Sequence, residues 1–115
     1  MDQQEFFDAL RNVKNDNAVK VRKQLEKDAD GKLWSIVQTV YNYHPAIGNL
    51  NAKQQIAELA AFGGFGLLKA MMPEAEEAKA IDEEQLKIIS EMEKLTQRRE
   101  EIQKRIKEIQ TAWCR

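Results

Sequence analysis

Apolar residues recur at helical rather than strand spacing along almost the whole chain. From Gln4 to about Lys14, Phe6, Leu10 and Val13 share one face with Phe7 beside it, the spacing of a short amphipathic helix. Asn15-Asp16-Asn17 interrupts that pattern with residues that favour caps and turns. A second helix with Ala18, Val21 and Leu25 on one side starts there and runs out at Asp30-Gly31. The segment KLWSIVQTVYNY, residues 32–43, reads two ways. Its β-branched content suits a strand, whereas Leu33, Ile36, Val37, Val40 and Tyr41 keep helical spacing; we assign a helix. It should stop near Tyr43, because Pro45 disfavours the α conformation at His44. After the loop HPAIGNLN, Asn51 with Gln54 three residues on marks a capped helix start, with Ile56, Leu59 and Ala60 on its buried side. Gly63-Gly64 ends or bends this helix, and an apolar stretch continues to Met72. Pro73 then opens a last long helix, with Glu74, Glu76 and Glu77 in the first turn, where they complement the helix dipole.

The strongest pattern lies in that last helix. Ile81, Ile88, Leu95, Ile102 and Ile109 recur every seven residues, and Gln85, Met92, Arg99, Ile106 and Trp113 fill the alternate positions. This is a coiled-coil seam, with the first series at d and the second at a. The flanking g positions are Glu84, Glu91, Arg98 and Arg105; the e positions are Asp82, Ile89, Thr96, Gln103 and Gln110. Parallel pairing sets g against the following e′ and forms no ion pairs. Antiparallel pairing sets g against g′, so that Glu91 meets Arg98′ and Glu84 meets Arg105′, both centred near residue 94. Charge along the helix agrees, since residues 74–93 hold eight acids against two bases and residues 94–111 hold three acids against six bases. Arg99 at an a position weakens a purely apolar seam and can set register or partner choice. Pairs such as Glu83 with Lys87, Glu100 with Lys104 and Glu101 with Arg105 read as ordinary i, i+4 helix support. The competing reading is that Ile81 to Trp113 packs along the chain's own shorter helices.

Composition narrows the class. A chain of 115 residues with 43% hydrophobic and 32% charged residues, but only 2 Pro and 5 Gly, suits one helical domain with appendages. The formal net charge of −1 provides no global basic field for nucleic acid or an acidic membrane. The single cysteine, Cys114, excludes an intrachain disulfide framework and suits a reducing, cytoplasmic setting. The start MDQQEFF lacks the basic and apolar regions of a signal peptide. Ile56 to Met72 is interrupted by Glu58, Lys69 and three glycines, so no membrane span is expected.

Candidate chemistry is sparse. In EKDADGKLW, position 1 of a calcium-binding EF-hand loop can be laid on Glu26, which puts Asp28, Asp30 and Gly31 at positions 3, 5 and 6. Val37 then stands at position 12, where a bidentate glutamate is needed. The stretch therefore reads as a turn, with Gly31 at positive φ and Asp28 or Asp30 capping the next helix. His44 is the only histidine, which precludes a multi-histidine metal site within one chain, and it reads as structural or exposed. Cys114 has no base near it in sequence and reads as idle. No phosphate loop, dinucleotide fingerprint, nucleophile elbow or HExxH is present, so no catalytic residue, cofactor or metal is assigned and an enzyme is not expected.

In IAELAAFGGFGLLKAM, Ile56, Leu59, Ala60, Leu67 and Met71 are apolar and Ala57 is small. In this spacing the segment resembles the helix-turn-helix framework of bacterial repressors. Ala61 replaces the usual turn glycine, and Gly63, Gly64, Gly66 and Leu68 fall where a reading helix would display polar side chains, leaving Lys69 as the one donor. That surface has little for phosphates or base edges.

The expectation is an all-α protein: an N-terminal amphipathic helical region over 1–31, a small helical body over 32–72 and a long C-terminal coiled-coil helix over 73–115. Its expected role is that of a non-enzymatic scaffold or adaptor. It self-associates, with an antiparallel homodimer favoured, or binds a helical protein partner through the C-terminal seam. The alternative is a dimeric DNA-binding regulator with its helix-turn-helix-like segment at 53–71.

Overall fold

The computed structural model describes residues 1–114, whose regular structure is four helices and no strand. The all-α reading, with its long C-terminal helix, holds. Helix α1 spans Gln3–Arg11 and begins where the Asp2 carboxylate accepts the Glu5 N–H at 2.8 Å. It buries Phe6, Ala9 and Leu10, and leaves Asp8 and Arg11 paired at 3.3 Å on the outer face. Helix α2 spans Asp16–Glu26 and starts within the expected Asn15-Asp16-Asn17 cluster, where Asn15 is the cap and its side-chain oxygen accepts from the Asn17 N–H. The Asn15 amide also donates to the Ala61 carbonyl at 3.4 Å, tying this turn to the fourth helix.

Residues 32–43 form a helix, α3, Lys32–Tyr43. Its start shows what EKDADGKLW does. Gly31 takes φ +70°, and the Asp28 carboxylate accepts the N–H groups of Leu33 and Trp34, each at 3.1 Å. Two donors at the exposed helix start are thereby satisfied by one side chain. Val37 is fully buried in the core rather than turned towards the loop. The helix stops at Tyr43, since His44 is extended (φ −75°, ψ 124°) ahead of Pro45.

Helix α4 spans Ala52–Trp113 and is broken once, at Gly64, where φ +65° and ψ −163° are non-helical. Two expectations are corrected here. Asn51 does not form a capping box with Gln54: Asn51 takes φ +58°, and the Gln54 amide points forward to Glu58 at 3.4 Å. Gln55 does the fastening instead, its side-chain oxygen accepting the Gly48 N–H at 2.8 Å across the preceding loop. Pro73 does not open a new helix either, but lies inside α4. Its ring removes the donor for the Lys69 carbonyl, a loss water can make good on this exposed turn. Leu68 and Ala75, two turns apart on either side of Pro73, are both fully buried, so packing holds one helical face across it.

The chain divides into two compact units, Met1–Ala80 and Ile81–Arg115. In the first, one core gathers Phe6 and Leu10 from α1, Val21 and Leu25 from α2, Val37 and Val40 from α3, and Ile56, Phe65 and Leu68 from α4. The residues expected to form an N-terminal region and a separate body thus share one core. Trp34 packs against Phe6 with ring centroids 5.9 Å apart at 60°, a tilted aromatic contact. Lys53 and Glu5 pair at 2.7 Å, linking the start of α4 to α1.

Candidate interaction surface

Every described residue from Ile81 to Cys114 is exposed. The helix of this unit carries the residues expected at the interface: Ile81, Glu84, Ile88, Glu91, Met92, Leu95, Arg98, Arg99, Ile102, Arg105, Ile106, Ile109 and Trp113. They do not form a pocket, but an oblique stripe along one helix. The d residues Ile81, Ile88, Leu95, Ile102 and Ile109 and the a residues Met92, Ile106 and Trp113 are 45% to 86% exposed. Because a straight helix drifts by about 20° per heptad relative to a perfect seven-residue repeat, the stripe winds slowly round the helix. Only a left-handed supercoil with another helix would keep it in continuous contact.

Charge flanks the stripe without being paired among the described residues. Glu84 and Glu91 lie at g in the first half, Arg98 and Arg105 at g in the second, and Arg99 within the seam itself. Among the described residues, four ion pairs form, and all of them lie at or before Lys53. The expected Glu83–Lys87, Glu100–Lys104 and Glu101–Arg105 pairs are therefore not closed. An exposed pair gains little and orders two long side chains, which accounts for the open arrangement. Thr96 and Thr111 instead donate to the carbonyls four residues back, both at 2.9 Å.

Two exposed apolar residues lie outside the predicted a and d series. Ile89, at e, is 52% exposed and widens the stripe beside Ile88 and Met92; Leu86, at b, is exposed away from it. In the first unit, Leu50 and Phe62 are also exposed. Phe62 sits in the middle of an apolar run, and no periodicity in the sequence distinguishes it from its buried neighbours Ala61 and Phe65.

Other surfaces have weaker chemistry. A polar depression of about 550 Å³ is lined by Glu5, Asp8, Tyr41, Asn49 and Lys53, among others. The hydrogen bond from Lys53 to Glu5, with the charge of that carboxylate, raises the ammonium pKa above 10.5, keeping the amine protonated and non-nucleophilic at neutral pH. His44 turns its ring on its own loop, Nδ1 accepting the Ala46 N–H at 3.1 Å. Among the described residues, no three His, Cys, Asp or Glu side chains are grouped to hold a metal ion, and Cys114 is a free, exposed thiol.

The helix-turn-helix-like segment differs from that framework in geometry. The break falls at Gly64 instead of Ala61, which is helical and buried. Leu68, at a position a reading helix would turn outward, is fully buried. One window of 18 residues in α4 reaches a mean hydropathy of 1.2, making this helix long and apolar enough by composition to cross a membrane; a third of that window is buried. The apolar run from Ile56 supplies core residues Ile56, Ala60, Phe65 and Leu68, which accounts for its hydropathy. Its broken backbone at Gly64 would also leave polar groups without partners in lipid. No protein-family model, curated protein or solved structure matches this chain.

Proposed function

We propose that this protein is a non-enzymatic helical scaffold or adaptor that associates through the seam from Ile81 to Trp113. The observation that carries this reading is the exposure of eight large apolar side chains at coiled-coil positions on one helix. Such an extended apolar stripe is a binding surface in waiting rather than scattered surface hydrophobicity. Burying the exposed half of an Ile, Leu or Met contributes about 1 kcal/mol, so two such helices would gain on the order of 16 kcal/mol. Lost translational, rotational and side-chain freedom opposes this with roughly 4–15 kcal/mol. The balance is compatible with stable pairing.

A photo-crosslinking residue tests the reading in cells. Placed at Leu95 it should yield protein adducts, whereas at Gln97, on the opposite face, it should yield few. Adducts from neither position, or equal adducts from both, would count against a seam-directed association.

A further inference from the structure

We infer that the seam takes a second copy of this chain running antiparallel, with Met92 packed against Leu95 of the copy. This rests on the association reading above and adds the identity, direction and register of the partner.

Three features of the helix converge on that arrangement. The first is the charge gradient. Eight acids against two bases in residues 74–93, followed by six bases against three acids in residues 94–111, make one helix complementary to its own reverse. A parallel copy would bring the two acid-rich halves together and the two base-rich halves together, with no opposite charges paired at the seam edges. Among the described residues, none of the charges from Asp82 to Glu108 is taken up by an ion pair, so they are available across an interface.

The second feature is that the flanking charges and the apolar layers choose the same register. In an antiparallel pair each a residue faces a d residue of the copy, and g positions meet across one edge. Setting Glu91 against Arg98 of the copy puts Met92 on Leu95 and Ile106 on Ile81. The same setting places Glu84 beside Arg105, while on the other edge Ile89 meets Thr96 and Asp82 meets Gln103. No like charges are opposed at either edge. The exposed Ile89 beside the stripe, at 52%, acquires an uncharged neighbour.

The third feature is Arg99. A parallel, in-register pair would stack the two Arg99 side chains on each other in one core layer, bringing like charges together in a partly desolvated site. The antiparallel register sets Arg99 against Ile88 of the copy, with Glu91 of the copy within about one turn. The guanidinium can then lay its stem over the apolar layer and reach a carboxylate at the rim. Arg99 becomes a determinant of direction instead of a defect in the seam.

The test uses the full chain with Cys114→Ala, into which Gln85→Cys or Ile102→Cys is introduced singly. In the proposed register these two positions face each other, whereas each lies about 17 residues, roughly 26 Å, from its own counterpart. A disulfide needs Cα atoms about 5.5 Å apart. Neither protein alone should cross-link under mild oxidant, and a mixture of the two should form the heterologous disulfide, identified by mass spectrometry. Rapid cross-linking of either protein alone would overturn the antiparallel arrangement while leaving association intact. Associated protein that forms neither disulfide would overturn the register. A chain that stays monomeric at every concentration would overturn the second copy as partner, and the scaffold reading would then require a different helical protein. Charge reversal is a check free of new thiols. Glu91→Arg should weaken the dimer by about 2- to 30-fold, and adding Arg98→Glu should restore it, because both symmetry-related pairs regain opposite charges. Weakening without recovery in the double variant would also reject the pairing.

Discussion

The three glycines of FGGFG should respond to the same substitution in different ways, although they lie within four residues of one another. Gly64 combines φ +65° with ψ −163°, a conformation that is essentially restricted to glycine. Alanine there meets no neighbouring atom, so the cost of Gly64→Ala is backbone strain, about 1–3 kcal/mol. At Gly63 the obstacle is steric: an added Cβ would come within 2.5 Å of the Leu67 Cβ, and that atom cannot swing away as a flexible side-chain tip could. Gly63→Ala must therefore shift the backbone on one side of the kink and should also destabilise. At Gly66 the backbone is helical and the added methyl meets open space. Gly66→Ala should stabilise by roughly 0.5–1 kcal/mol, since alanine loses less backbone freedom on entering the helix. For a unit of this size each kcal/mol moves the melting temperature by about 4–8 °C, within reach of calorimetry or thermal circular dichroism. Melting temperatures should fall for Gly64→Ala and Gly63→Ala and rise for Gly66→Ala. If Gly64→Ala were as stable as the parent, the break at Gly64 would not exist and α4 would run on without it.

Three further outcomes follow from the first unit. Asp28→Ala removes the acceptor for two N–H groups at the start of α3 and should cost about 1–2 kcal/mol, whereas calcium should leave the melting temperature of the parent unchanged; micromolar calcium binding lost in Asp28→Ala would reverse the assignment of that loop. The Lys53 ammonium, observed by NMR, should titrate above 10.5 and return towards it in Glu5→Gln. Its pKa is raised in the folded chain, so the pair contributes fully at neutral pH and its contribution is lost only as pH rises through that titration. A duplex-binding assay at physiological salt should find no nanomolar site, because Leu68 is buried and the exposed turn has few donors; specific nanomolar binding would favour the regulator reading.

The parts of the fold visible in the sequence are those where side-chain periodicity and local capping act together. Phe6, Leu10, Val21 and Leu25 mark the buried faces of α1 and α2, and the cap of α2, Asn15, lies in the expected Asn15-Asp16-Asn17 cluster. In residues 32–43, helical spacing outweighs β propensity because Val37 and Val40 reach the same core from one face. What was hidden depended on contacts distant in sequence. Nothing near Pro73 announces that Leu68 and Ala75 will be buried on either side of it, which keeps α4 helical there. Asn51 resembles a cap because of its residue type, yet the loop from His44 is fastened by Gln55, leaving Asn51 at positive φ. For the candidate surface, the heptads were readable because they are written in a single helix. The exposure of Phe62 was not, as it lies in a run of apolar and small residues where hydrophobicity alone does not mark the outer face.

Sedimentation equilibrium of the full chain, from nanomolar to high micromolar concentration, tests the central claim that the exposed seam is an association surface. The parent should pass from monomer to dimer as concentration rises, and the double variant Leu95→Lys with Ile102→Lys should remain monomeric while keeping the parent's helical content. A parent that is monomeric throughout, or a dimer unaffected by the two lysines, would contradict self-association through this seam.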